Sequence, residues 1–184
     1  MAELGLFRQA TQDAFRDNRM TDRECVLRYL AFRITPPEEY DAEDLEAFLN
    51  NQMKTLNERM RQEPGLRNSL IQGFERALKS AKQLFDKHAF RKQYALHPPR
   101  RRPINKPLFE AWMVNLDKLS DRDLERLRQR KAQLLEAWVQ LMNDGGFESA
   151  ITNGTGARRQ VLRRFAGIEH ILAETLRDNQ VIGS

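Results

Sequence analysis

Cysteine is nearly missing from this 184-residue chain: Cys25 stands alone, so no internal disulfide can form. A lone cysteine fits a reducing compartment. On an apolar helical stripe Cys25 reads as a small buried residue, with a reactive thiol as the alternative. Long apolar runs are missing too, and no stretch approaches the roughly 18–20 residues that cross a bilayer. The start Met1-Ala2-Glu3-Leu4-Gly5 has neither the basic opening nor the apolar centre of a secretory leader. The expectation is a cytoplasmic protein without membrane contact.

Signatures of catalysis and metal binding are also missing. His88, His97 and His170 are scattered, with no HExxH pair and no nearby cysteine. No serine sits in a GxSxG elbow. Carboxylates are abundant, but no spacing selects a catalytic pair. The run Thr152-Asn153-Gly154-Thr155-Gly156 lacks the GK[ST] ending of a phosphate-binding loop. No catalytic residue, metal or cofactor is therefore expected.

What is present is a helical pattern. The chain is 40% hydrophobic and 31% charged, the balance of a globular protein, and its length suits one domain over residues 1–184. Apolar residues recur at three and four over residues 5–18, with Leu6, Ala10, Ala14 and Phe15. Thr21 and Glu24 read as a capping box opening a second helix, which Pro36-Pro37 ends. Asp41 is the expected cap of a third helix through Gln62, with Leu45, Phe48, Leu49, Gln52, Met53, Leu56 and Met60 as its stripe. Pro64 is placed in the first turn of a fourth, carrying Leu70, Phe74, Ala77, Leu78, Ala81 and Phe85. A fifth runs from Leu108 to Leu119, and Ser120 caps a sixth that reaches Asn143, where Gly145-Gly146 stop it. The last spans residues 157–177. No stretch alternates long enough for a strand. The expected fold is all-α: an irregular bundle of about six to seven helices with a Pro/Arg-rich central loop.

Residues 86–106 break the helical period. Pro98, Pro99 and Pro103 forbid a regular helix across the second half. Lys87, Arg91, Lys92, Arg100, Arg101, Arg102 and Lys106 face a single acid, Asp86, a local excess that exceeds the net charge of +5 for the whole chain. Guanidinium groups fork onto phosphates, and the interleaved Phe90 and Tyr94 either stack on bases or pin the loop to the core. The loop reads as a phosphate contact, or as a solvated connection facing an acidic partner. A second candidate is the Thr/Gly-rich entry to the last helix, with Arg158 and Arg159 just inside. It reads as an anion site or as an ordinary turn capped by Thr155.

The run Arg19-Met20-Thr21-Asp22-Arg23-Glu24-Cys25-Val26-Leu27-Arg28-Tyr29-Leu30-Ala31-Phe32 resembles a stretch of the domain-of-unknown-function 262 family, the GmrSD-like proteins. Further pieces follow in order: Phe48-Leu49-Asn50 with Met53, then Ala89-Phe90-Arg91. Arg101-Arg102-Pro103-Ile104-Asn105-Lys106-Pro107-Leu108-Phe109-Glu110 precedes Trp112, and Arg164-Phe165 precedes Ile168. The resemblance covers about residues 15–170 and implies the helical region of that family. Its ParB/sulfiredoxin-like N-terminal domain, with a DGQQR motif and nucleotide-dependent activity, has no counterpart here, so no catalytic residue carries over.

That family is associated with modification-dependent restriction and anti-phage defence in bacteria. The resemblance thus implies a non-catalytic, DNA-associated accessory domain. Arg91, Lys92, Arg100, Arg101, Arg102, Lys106, Arg158 and Arg159 are the candidate phosphate contacts, which position without reading sequence. The alternative is an interaction module that docks on a ParB-like partner or forms a homo-oligomer.

Overall fold

The computed structural model describes residues 5–11, 19–41 and 44–177. Among the described residues there are nine α-helices and no strand, so the all-α expectation holds. None of the helices is long and apolar enough to cross a membrane.

The first helix, α1 (Gly5–Thr11), buries Phe7, Ala10 and Thr11. The rest of the expected first helix, with Ala14 and Phe15, lies outside the described residues. The second, α2 (Arg19–Ile34), is already helical at Thr21, so the capping-box reading fails. Glu24 turns away from the backbone because two cations hold it, Arg28 and Lys106. Cys25 is buried as expected, Tyr29 and Phe32 face inward with it, and a short 3-10 turn, Pro37–Glu39, follows.

In α3 (Leu45–Gln62) the cap is Asp44 rather than Asp41: its carboxylate accepts from the amides of Glu46 and Ala47. Leu45, Phe48, Leu49 and Leu56 are buried, but Met53 is 45% exposed, against the core reading. Beyond Leu56 the helix has little to pack on, and residues 61–65 are all exposed. Pro64 lies ahead of α4 (Leu66–Phe85) rather than inside its first turn. The six apolar positions expected on α4 are all buried.

The axis of the bundle is α5 (Lys106–Lys118), capped by Asn105, whose side chain accepts from the amide of Leu108. Every residue from Pro107 to Asp117 is buried. Such a helix must be surrounded, and it packs against α2, α4 and α9 (Arg158–Leu176).

The expected helix from Ser120 to Asn143 breaks at Arg130 into α6 (Asp121–Gln129) and α7 (Lys131–Met142). The bend lets both pieces pack on α9. Arg126 and Arg130 close the contact by donating to the carbonyls of Leu176 and Thr175. Gly145 and Gly146 do not stop a helix but begin one, α8 (Gly145–Ala150), capped by Asp144. A Cβ at Gly167 would come within 2.9 Å of the buried Phe147 ring, so the missing side chain there lets α8 approach α9.

Aromatic rings tie the layers together. Phe7 stacks on Phe74 and meets Phe109 edge-on, joining α1, α4 and α5. Phe85, Trp112 and Trp138 form a second chain, with centroids 4.6 and 5.2 Å apart. Each pair adds about 0.5–1.5 kcal/mol beyond area burial.

Candidate functional site

The segment between α4 and α5 is a braced strap rather than a free loop. A 3-10 turn, Asp86–His88, leads into Phe90, whose φ of 60° is unusual for an aromatic residue. The surroundings hold it there. Its ring is 2% exposed and lies 4.6 Å from the Phe109 ring. Its carbonyl accepts from the Asn105 amide, next to an isolated antiparallel bridge between Arg91 and Ile104. Phe90 therefore pins the strap to the core and is closed to base stacking.

Arg91 is not a surface contact. It is 3% exposed, and its fork reaches two backbone carbonyls: Nη1 donates to Arg102 at 2.5 Å and Nη2 to Thr11 at 2.9 Å. Burial, with Arg101 nearby, pulls its guanidinium down to about 10. Neither of these bonds goes to a carboxylate. It spends its donors on joining α1 to the two ends of the strap, and a phosphate cannot reach it.

Lys92 and Lys106 are also engaged. Lys92 Nζ donates to Glu148 Oε1 at 2.8 Å and to Thr152 Oγ1 at 2.5 Å. Tyr94 donates its hydroxyl to the same Glu148 oxygen, and the Arg102 guanidinium lies 4.9 Å above the Tyr94 ring. Lys106 Nζ donates to Glu24 Oε2 at 2.5 Å. Local carboxylates thus compete directly with any phosphate for both lysines.

Arg100, Arg101 and Arg102 remain exposed on the outer side of the strap. His97 is exposed beside them, and His88 is half-buried. Burial and the cations Lys87 and Arg91 hold the His88 imidazole below its ordinary value. His170 is exposed on α9, remote in sequence from the strap.

At the entry to α9 the capping position is Ala157, not Thr155, and no side chain caps the helix. Thr155 instead offers its carbonyl to Arg164 Nη1 at 2.7 Å. Arg158 leans back to donate to the Glu38 carbonyl, while Arg159 is exposed. The strap meets this region through the Lys92–Thr152 bond and through Asn105 Nδ2, which donates to the Ile151 carbonyl.

Two buried carboxylates on α5 escaped the sequence reading. Glu110 is fully buried between Arg28 and Arg164. Asp117 accepts from Tyr29 and Arg33 and lies near Arg76. Their signal was available: acids seven residues apart on an otherwise apolar helix need buried partners. Cys25 is inert, its thiol pushed up to about 12 mainly by burial. Among the described residues no His, Cys, Asp and Glu side chains cluster closely enough to hold a metal. No family model, curated protein or solved structure matches the chain.

Proposed function

We propose that this protein is a non-catalytic helical module that contacts DNA phosphates through Arg100, Arg101 and Arg102. One observation carries the reading: three consecutive arginines are exposed on a strap that Phe90 and Arg91 hold rigidly against the bundle. Ordering a flexible basic loop on a polyanion costs conformational entropy, and a braced strap has already lost it. Arg91, Lys92 and Lys106 support the platform and are not part of the contact set. The resemblance to a restriction-associated family favours DNA as the polyanion.

The test is fluorescence anisotropy of the chain on a short duplex across a salt series. Three phosphate contacts give a slope of roughly −2.7 in log affinity against log salt. Reversing the charges, R100E/R101E/R102E, is expected to abolish binding. Unchanged affinity in that variant would overturn the assignment. Failure of the parent to bind at low salt would turn the strap into a docking surface for an acidic protein.

A further inference from the structure

A cleft of about 810 Å3 lies between α2, the first turns of α3 and residues 154–157. It is separate from the strap, since Arg100, Arg101 and Arg102 do not line it. Its size falls within the roughly 300–1,000 Å3 usual for small-molecule sites.

One wall carries Arg23 and Arg28. Arg28 spends Nε on Glu24 and Nη1 on Glu110, and its Nη2 makes no hydrogen bond among the described residues. Arg23 is exposed, and its guanidinium likewise bonds nothing among the described residues. Behind this wall Arg28 and Arg164, both buried, share one fully buried carboxylate, Glu110, while Glu24 and Lys106 are each about a third exposed. Buried cations without a matched anion are costly. An anion in the cleft would take the spare nitrogen of Arg28; the lining also carries the carboxylates of Glu24, Asp44 and Glu46.

The remaining walls suit the rest of a ligand. The amides of Gly154, Thr155 and Gly156 donate no hydrogen bond among the described residues. This segment lies close against α3, where a Cβ on Gly156 would sit 3.2 Å from Leu45 Cβ. The Asp44 carboxylate is already spent on the start of α3, and that of Glu24 on its two cations. Glu46 and Asn50, one turn apart and exposed, offer acceptors for hydroxyl groups, and Leu45 and Leu49 supply apolar surface.

We propose that the cleft binds a small phosphorylated molecule of nucleotide size. Its phosphate sits between Arg23, Arg28 and the amides of residues 154–156, and its hydroxylated body lies along Glu46 and Asn50. The inference is independent of the strap's role.

The experiment is calorimetric titration of the full chain with AMP, ATP, ribose 5-phosphate and sodium phosphate at constant ionic strength. At least one organic phosphate is expected to bind saturably. R23A is expected to weaken it tenfold or more, and N50W to block it by filling the cleft. Both substitutions are at exposed positions, and circular dichroism checks that they fold. R100A/R101A/R102A is expected to keep the parent affinity, which separates the cleft from the strap. The proposal is overturned by no saturable binding at millimolar concentration, or by parent affinity in both R23A and N50W. Sodium phosphate binding as tightly as the organic probes would overturn the organic-ligand assignment.

Discussion

Glu110 and Arg164 meet in the centre of the protein with both side chains fully buried. Nε and Nη2 of Arg164 converge on Glu110 Oε1, while Arg28 takes Oε2. The carboxylate therefore locks α5 to α9 on one side and to α2 on the other. Removing it leaves the buried Arg164 without a carboxylate, while Arg28 keeps Glu24. E110Q is expected to cost about 3–5 kcal/mol, the usual penalty for breaking a buried pair from one side. Urea denaturation measures this. The double variant E110M/R164M is expected to recover part of the loss, because it removes the stranded charge together with its partner. A double variant no more stable than E110Q would show that the packing, not the unpaired charge, sets the cost.

Gly73 gives α4 its close approach to the same central helix. A Cβ there would stand 2.4 Å from Asp117 Oδ1, and that carboxylate also accepts from Tyr29 and Arg33. G73A is expected to lose about 1–3 kcal/mol through displacement of a well-packed group. G145A is the control, since a Cβ at Gly145 meets nothing within 4 Å. Equal denaturation midpoints for G73A and the parent would refute the steric argument.

The helices were legible where apolar spacing decided them. On α4 the expected inner face and the observed one agree closely, because burial follows from a period of 3.6. The ends were less legible. Asp44 rather than Asp41 caps α3, and Glu24 left its box for Arg28 and Lys106, partners four and 82 residues away. The break at Arg130 also depends on a distant element, the carbonyls ending α9. At the strap, the sequence located the charge but not its use. Nothing local distinguishes Arg91 from Arg101, and only the carbonyls of Thr11 and Arg102 make the first a buried brace.

Acid is expected to loosen the strap and the α2–α5 contact together. Burial alone would raise the Glu24 carboxyl, but Lys106 and Arg28 outweigh it and hold the group below its ordinary 4.5. Glu148 is held low chiefly by Lys92, then by Thr152. A carboxyl with a depressed folded value stabilises fully above its unfolded value, and that contribution disappears as pH falls through the folded one. Thermal midpoints are therefore expected to decline gently below about 6.5, where His88 is held low, and more steeply below about 4.5. In E24Q and E148Q the acid limb should be shallower. If both variants keep the parent's limb, these pairs do not couple protonation to folding.

Arg91 separates bracing from binding. Its two bonds to carbonyls come from a charged donor, each typically contributing about 1.5–3 kcal/mol. R91M keeps an apolar stem in the same space but gives up both bonds to the backbone of Thr11 and Arg102. R91K keeps the charge and loses the two-pronged reach. Both variants are expected to expose the strap to limited proteolysis at Arg100–Arg102, while far-ultraviolet circular dichroism stays helical. Their duplex affinity is expected to fall severalfold, yet the salt slope should stay at the parent value, because the three exposed arginines remain. A slope lower by about one would mean that Arg91 itself neutralises a phosphate, and the buried fork could then not be its working state.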